Sequence, residues 1–291
     1  MRVIPTSELI INGDGSIFHL HVKPEQLADI VILVGDPGRV DLVASYFESK
    51  ECTIESREFR TITGSYKGKR MTVISTGIGT DNIDIVVTEL DALANIDFAT
   101  RTEKAEKRRL TLLRLGTSGA IQPDIPLGSF VFARTSVGFD GLLNYYAGRN
   151  EVCDLAIEEA FVAHTGWNKQ CPAPYFVDAD KELYDHFADS VVEGITIAAN
   201  GFYGPQGRWV RLQPADPELN NKIESFRFGE RRITNFEMES SALSGLGALM
   251  GHRAGTICTI IAQRAVKDMN TDYKPFVRQM IEMALNKLAE L

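Results

Sequence analysis

The chain has 291 residues, of which 44% are hydrophobic, and its 39 acidic and 31 basic residues leave a formal net charge of −8 at pH 7. A chain of this length can bury a core without disulfides or metals, and its acidity argues against non-specific binding to nucleic acid, which needs a basic face. No segment has the run of about 18 apolar residues that a membrane span needs, and the N-terminus lacks a signal-peptide core, so we expect a cytoplasmic protein.

The chain shows no internal repeat, low-complexity tract or linker, so we expect residues 1–291 to form one domain. The four cysteines are far apart and form no CxxC pair, which predicts reduced thiols. The five histidines lack the spacing of metal ligands. We interpret the charged run at 101–109 as a solvated connection between two apolar segments.

Apolar runs alternate with helical patterns along the chain. The strand pattern at 31–34 ends at Gly35, and Asp36 before Pro37 is typical of a helix start. Further strands are predicted in three stretches within 52–76, broken near Gly64 and at Lys67-Gly68, and at 111–115, 129–134, 195–199 and 256–262. Helices are predicted at 83–93, 153–164, 237–250 and 276–288.

This alternation of strands and helices indicates an α/β fold with a largely parallel central sheet. Ligands in such folds bind beyond the carboxyl ends of the strands, where the connecting loops gather. The residues that follow each predicted strand are therefore the candidates for a functional site.

Two strand ends carry features that suit an anion. Gly35 lets a ligand approach the backbone, the helix that follows offers free N–H groups, and Arg39 adds a cation; a plain turn with a surface arginine is the alternative. Arg114 lies inside an apolar strand, so it must meet a carboxylate or a bound anion. Thr117 and two neighbouring glycines add a hydroxyl and backbone donors.

Two further segments suit a planar ring and a sugar. Phe202, Gln206 and Arg208 can stack on a ring and bond both edges of an amide-like heterocycle. Glu237 and Glu239 cannot share one helix face, so we expect one to face the site and the other to cap or anchor the helix. A carboxylate is a natural acceptor for two vicinal sugar hydroxyls. The alternatives are a turn decorated with polar groups and an acidic helix start.

Taken together, these segments resemble the nucleoside phosphorylase superfamily, and most closely its uridine phosphorylases, from about Phe18 to Arg264. The resemblance rests on six motifs in order: Gly-Asp-Pro-x-Arg at 35–39, Arg-Glu-Phe at 57–59, Ser-Thr-Gly-Ile-Gly at 75–79, Arg-x-Gly-Thr-x-Gly-x-Ile-Gln-Pro at 114–123, Phe-Tyr-x-x-Gln-x-Arg at 202–208 and Asn-x-Glu-Met-Glu-Ser at 235–240. It implies a three-layer αβα sandwich around a mixed, largely parallel central sheet.

The resemblance also implies roles for single residues. Phosphate is expected at Gly35, Arg39, Arg114 and Thr117, and at Arg57 from the neighbouring subunit. Ribose is expected at Met238 and Glu239, with Glu239 on the 2′- and 3′-hydroxyls, and at His19, which contacts the 5′-hydroxyl across the same interface. The base is expected at Gly119, Phe202, Gln206 and Arg208. Four of these residues are expected to act in catalysis: Arg114, Glu239, Gln206 and Arg208.

The same resemblance implies an obligate homodimer, which can assemble further into a hexamer as a trimer of dimers. Glu58 and Ser75 match positions that hold a monovalent cation, such as potassium, between subunits in some members. Inorganic phosphate is a co-substrate, and no other cofactor is expected. The expected partners are a nucleoside and phosphate, with no nucleic acid and no membrane.

Purine-specific relatives carry an Asp after the late strand, where this chain has Ala262. The resemblance therefore implies reversible phosphorolysis of uridine to uracil and ribose 1-phosphate. Three alternatives stay open: a phosphorylase that prefers thymidine, deoxyuridine or a purine nucleoside, a hydrolytic nucleosidase, and a nucleoside-binding protein without catalytic activity.

Overall fold

The structure, a computed structural model, describes residues 2–264, 268–269 and 272–291. The strands are β1 Ile30–Val34, β2 Ser49–Ser56, β3 Phe59–Tyr66, β4 Lys69–Ser75, β5 Ile96–Asp97, β6 Thr102–Glu103, β7 Thr111–Ala120, β8 Phe130–Gly138, β9 Tyr175–Asp178, β10 Val192–Ala198, β11 Arg227–Phe228, β12 Arg231–Glu237, β13 Arg253–Gln263 and β14 Asp268–Met269. The α-helices are α1 Pro37–Ala44, α2 Thr80–Asn95, α3 Arg149–Val152, α4 Leu155–Thr165, α5 Lys181–Phe187, α6 Leu219–Ser225, α7 Ser240–Met250 and α8 Lys274–Ala289.

One mixed sheet organises the molecule, with the strand order β11-β12-β10-β8-β13-β7-β1-β4-β3-β2. Strands β4, β1, β7 and β13 form one parallel block, and β8, β10 and β12 form a second. Antiparallel pairs of β13 with β8 and of β12 with β7 join the two blocks. The carboxyl ends of β1, β7, β12 and β13 therefore come together.

Helices cover both faces of this sheet. The alternate residues of β1 show this, because they pack against helices on opposite sides. Val31 and Leu33 pack into a core with α2 and α7, whereas Ile32 and Val34 pack on the other side against α1 and α8. Because successive strand residues point to opposite faces, a strand that is apolar at every position must be buried on both. The predicted three-layer α/β architecture with a mixed sheet is confirmed. Among the described helices, none is long and apolar enough to cross a membrane.

The predicted strand break near Gly64 is wrong, because Gly64 lies inside β3. A Cβ atom at this position would lie 2.2 Å from the backbone oxygen of Ser49 and 2.7 Å from the Phe47 ring. The glycine thus allows close contact where the pairing of β2 and β3 shifts register, between Lys50 and Cys52. The hairpin instead turns at Arg57, which has a positive φ of 55°.

Three other predicted boundaries also move. Strand β7 continues through the expected loop at 116–119 to Ala120, because it pairs there with both β13 and β12. The helix predicted at 153–164 is α4, which begins two residues later than predicted, and the Asp154 side chain caps it by accepting from the N–H of Ala156 and Ile157. Helix α7 begins at Ser240 rather than at Glu237, which ends β12.

The charged run at 101–109 is tied to the surface by ion pairs. Lys107 pairs with Glu103 at 2.6 Å, and Arg108 pairs with Asp29 at 2.7 Å. The described cysteines are all free thiols, and Cys258 alone among them is fully buried. Exposed pairs of this kind contribute little to stability, which fits a connecting role for the run.

Candidate active site

A cavity of about 560 Å³ opens at the carboxyl ends of β1, β7, β12 and β13. It brings together most of the site residues predicted from the sequence: Gly35, Arg39, Arg114, Thr117, Gly119, Phe202, Gln206, Arg208, Met238 and Glu239. Asp36, Ile78, Ser118, Phe236, Glu237, Ile261 and Ala262 complete the lining. This volume lies in the range of small-molecule sites, and the position beyond the strand ends is where open α/β sheets bind ligands.

One end of the cavity is suited to an anion. Asp36 caps α1 by accepting from the backbone N–H of Arg39, and the Arg39 side chain turns back to donate to the backbone oxygen of Leu115 at 3.2 Å. Burial lowers the pKa of Arg39, and the positive charge of Arg114 lowers it further, whereas Asp36 opposes the shift. Two cations held this close favour a bound anion between them. A Cβ atom on Gly35 would meet no atom closer than 4.0 Å, so a ligand has room to approach the backbone there.

Arg114 meets two buried carboxylates. Its Nη1 atom lies 3.2 Å from Glu237 Oε2, and its Nη2 atom donates to Glu239 Oε2. The three side chains are almost fully buried, with 5% exposure for Arg114, 4% for Glu237 and 3% for Glu239. Burial alone disfavours the charge on Arg114, but Glu239 and Glu237 together outweigh it and raise the pKa of the guanidinium. The Nε atom of Arg114 is buried without a protein partner in the described residues.

Both glutamates line the cavity, and one of them also anchors a helix, as the sequence predicted. Glu237 accepts from the Ser240 N–H at 2.9 Å and from the Ser240 hydroxyl at 2.6 Å, so it anchors the first turn of α7. Glu239 instead accepts through Oε1 from the backbone N–H of Gly79, just before α2, at 2.7 Å. Burial raises the pKa of Glu237, against the pull of Arg114. Both carboxylates line the cavity beside Met238, and Glu239 is the one that does not anchor α7.

Gly116 makes room for the Arg114 side chain. A Cβ atom at 116 would lie 2.3 Å from Arg114 Nη1 and 2.9 Å from Cys258 Sγ. We expect Gly116→Ala to displace the guanidinium and raise the KM for the anionic ligand about tenfold, the size of one lost charge-assisted hydrogen bond. Steady-state kinetics with the concentration of the anion varied measure this KM. Gly13→Ala is the control, because a Cβ atom at position 13 would meet no atom within 4 Å. An unchanged KM in Gly116→Ala would contradict this account of the glycine.

The other end of the cavity presents a ring, an amide and a guanidinium. Gln206 is 2% exposed, and its Oε1 accepts from Arg208 Nη1. The Arg208 guanidinium lies over the Phe202 ring, 3.7 Å from its centroid. Burial lowers the pKa of Arg208. The Gln206 amide N–H₂ group is therefore available as a donor to a carbonyl oxygen of a bound base.

Four predicted site residues lie outside this cavity. Arg57 and Glu58 are exposed at the turn between β2 and β3. Ser75 is buried, and its hydroxyl donates to the backbone oxygen of Glu58 and accepts from the N–H of Arg60. His19 lines a separate cavity of about 220 Å³ beside α2. The assignments of these residues to a neighbouring subunit and to a cation stay predictions.

Comparison with known proteins places the chain. A profile described as the phosphorylase superfamily matches residues 29–291. The chain belongs to this superfamily. A uridine phosphorylase of Thermococcus kodakarensis is 30% identical over 95% of this chain and 88% of that protein. A guanosine phosphorylase of Halorubrum lacusprofundi is 27% identical over 83% of this chain and 81% of that protein.

A solved structure supports the same placement. A nucleoside phosphorylase of Trypanosoma brucei, described as showing uridine phosphorylase activity, has a TM-score of 0.89 and 30% identity, and the match covers 97% of this chain and 100% of that one. The protein is thus a member of the nucleoside phosphorylase family of enzymes. Because named relatives include uridine and guanosine phosphorylases, the base has to be argued from the site itself.

The sequence reasoning missed one side chain that contacts the residues lining this phosphorylase cavity. Arg264 follows β13, lies 4.9 Å from the centroid of Phe236, and donates to the backbone oxygen of Gln206. Its side chain passes 3.5 Å from where a Cβ of Gly119 would lie. Burial first, and then the charge of Arg208, lower its pKa to about 10, and its Nη1 atom is buried without a partner in the described residues. The signal that could have found it is an arginine directly after an apolar strand, because the carboxyl ends of strands are where this fold binds ligands.

Proposed function

We propose that this phosphorylase catalyses the reversible phosphorolysis of uridine to uracil and ribose 1-phosphate in the cytoplasm. The observation that carries the proposal is one cavity that holds Arg39 and Arg114, the Glu239 carboxylate in contact with Arg114, and the hydrogen-bonded pair of Gln206 and Arg208. This set of cations, carboxylate and amide suits inorganic phosphate together with the sugar and the base of a nucleoside bound beside it.

Phosphate, held by Arg39, Arg114 and Thr117, attacks C1′ of the nucleoside. The C1′–N1 bond breaks, the C1′–oxygen bond to phosphate forms, and uracil leaves with the electron pair and takes up the proton that the attacking hydrogen phosphate loses. The sugar passes through a state with oxocarbenium character, which the adjacent phosphate dianion stabilises. Glu239 fixes the sugar by accepting from its 2′- and 3′-hydroxyls. Most of the acceleration comes from positioning, because no side chain forms a covalent bond with substrate.

Uracil leaves as an anion, and the base end of the cavity supplies the donors for it. The Gln206 amide and the Arg208 guanidinium donate to the base, and the cation of Arg264 nearby adds to the positive potential there. Ala262 lines this end of the cavity and offers no acid to protonate a purine ring nitrogen. These features favour a pyrimidine over a purine as the leaving base.

Charge supports the proposal that a partner subunit completes the phosphate site. Within one chain, Glu237 and Glu239 offset the positive charges of Arg114 and Arg39. A phosphate dianion therefore needs a further cation. Arg57 is exposed at a hairpin turn with a φ of 55°, and we propose that it supplies that cation to a second copy, in a homodimer or in a hexamer built as a trimer of dimers.

Mixing two inactive variants tests this sharing. Glu239→Gln damages a site from within its own chain, whereas Arg57→Ala damages the site of the partner. Co-refolding both variants is expected to recover about a quarter of the wild-type activity, since half of the dimers are mixed and one site in each has both residues intact. Uracil release after mixing measures it, and each variant refolded alone is the control. No recovery in mixtures shown to contain mixed dimers would contradict the shared site.

A phosphate-dependence assay over uridine, deoxyuridine, thymidine and inosine tests the proposed function. We expect uracil release only when phosphate is present, with uridine preferred. Uracil release that is equal with and without phosphate would indicate a nucleosidase instead. Faster turnover of inosine would indicate a purine phosphorylase, and binding of uridine without turnover at saturating phosphate would indicate a protein that only binds nucleosides.

A further inference from the structure

His19 lies on a short loop that Glu89 of α2 holds in place. The loop closes through hydrogen bonds from Ile17 N–H to the Val22 oxygen at 2.9 Å and from His21 N–H to the Ile17 oxygen at 3.1 Å. His21 has a positive φ of 54°, which is unfavourable for a residue with a side chain. Something outside the loop must therefore stabilise this conformation.

Glu89 provides that support from a position seventy residues away in sequence. Its carboxylate accepts from the backbone N–H of His19 at 3.1 Å and of Leu20 at 3.0 Å. Two successive N–H groups aimed at one anion form a small anion-binding nest. The Glu89 side chain is 12% exposed, so these bonds are shielded from water. The carboxylate thus fixes the backbone that carries His19.

The same carboxylate also fixes the imidazole. His19 Nδ1 lies 2.6 Å from Glu89 Oε1, and the Phe18 ring packs edge-on against the imidazole, with 4.6 Å between centroids. A carboxylate that already receives two backbone N–H groups is an acceptor only, so Nδ1 carries the hydrogen in this bond. In the neutral ring, Nε2 is then a bare acceptor, and it has no partner in the described part of the chain.

We propose that Glu89 is a positioning residue that holds the His19 imidazole with Nε2 ready to accept a hydrogen bond from the 5′-hydroxyl of a nucleoside bound in the partner subunit. The inference rests on the proposed function and on the contact with that hydroxyl that the resemblance implies for His19. It adds the residue that selects the tautomer and orientation of the ring, in the way that a second group fixes a histidine that binds a metal.

The test compares uridine with 5′-deoxyuridine, which lacks the hydroxyl that His19 would contact. We expect Glu89→Ala to raise the KM for uridine about tenfold with little change in kcat, the effect of one lost hydrogen bond. The KM for 5′-deoxyuridine should stay unchanged. Glu89→Gln, which keeps the size of the side chain, should show the same pattern to a smaller extent, and His19→Ala combined with Glu89→Ala should lose no more than His19→Ala alone.

Glu158→Gln is the matched control. Glu158 is 14% exposed, accepts from the backbone N–H of Phe176 at 3.1 Å and pairs with Arg149, but lines neither cavity. We expect it to leave the ratio of the two substrates unchanged. An equal loss for both substrates in folded Glu89 variants would overturn the positioning role. Wild-type protein that splits uridine with phosphate but does not distinguish it from 5′-deoxyuridine would overturn the inference alone, whereas wild-type protein inactive on uridine would overturn the proposed function.

Discussion

Arg114→Met is expected to lower kcat/KM for phosphate about 10³-fold, because it removes a buried donor aimed at the anion in a site shielded from water. Arg114 is also the side chain that links the phosphate end of the cavity to Glu239. The loss should therefore extend to the nucleoside, whose hydroxyls depend on the position of Glu239. Steady-state kinetics with each substrate varied in turn measure both effects.

The same substitution is expected to lower the free energy of unfolding by about 3–5 kcal/mol, because Glu237 and Glu239 lose the cation between them. Burial already raises the pKa of Glu237, and loss of Arg114 should raise it further. A raised pKa in the folded state means that the folded protein binds more protons, so stability falls as the pH rises above the unfolded value of about 4.3. The difference in the free energy of unfolding between wild type and Arg114→Met should therefore be smaller at pH 5 than at pH 8. Urea unfolding at the two pH values measures it.

A double variant separates these two effects. Arg114→Met with Glu237→Gln removes one buried charge and should recover part of the stability without restoring phosphate binding. Recovered activity in the double variant would show that Arg114 contributes to stability and not to phosphate binding. Phosphate kinetics within threefold of wild type in a folded Arg114→Met protein would contradict its assignment to the anion.

Glu239→Gln is expected to lower kcat/KM for uridine about 10²–10⁴-fold, since two hydrogen bonds to a charged acceptor contribute about 3–6 kcal/mol together. The amide keeps the size of the side chain, so the shape of the cavity should persist. With 2′,3′-dideoxyuridine, which lacks both hydroxyls, the penalty should largely disappear. Uracil release from both nucleosides measures the difference.

Glu55→Gln is the control for this substitution, because Glu55 is exposed and pairs with Arg60 at the surface. It should leave both rates unchanged. An equal penalty for uridine and 2′,3′-dideoxyuridine in Glu239→Gln would mean that the carboxylate acts on something other than the sugar hydroxyls.

Local signals in the sequence predicted the elements that frame the site. Asp36 before Pro37 marked the start of α1, and the apolar run at 31–34 marked β1, because capping and burial depend on neighbouring residues. Gly64 was misread as a break, since the close approach of Ser49 that requires it comes from another strand. Glycines needed for packing and glycines needed for turns look the same in one sequence.

The same limit applies to the site. A cation inside an apolar strand could only be balanced by another charge, so Arg114 was recognised, although its partners Glu237 and Glu239 lie more than a hundred residues away. Glu89 carries no such signal, because a glutamate on an amphipathic helix is ordinarily solvated. Its contact with His19 depends on the packing of an N-terminal loop against α2, which no local pattern specifies.

In the proposed reaction, Arg39 and Arg114 hold phosphate beside a sugar bound by Glu239. A crystal structure of the protein with ribose 1-phosphate tests it most directly. We expect the phosphate oxygens within hydrogen-bonding distance of Arg39, Arg114 and Thr117, and the 2′- and 3′-hydroxyls on Glu239. A sugar phosphate bound outside this cavity, or bound inside it with its phosphate at the Gln206 and Arg208 end, would contradict the account.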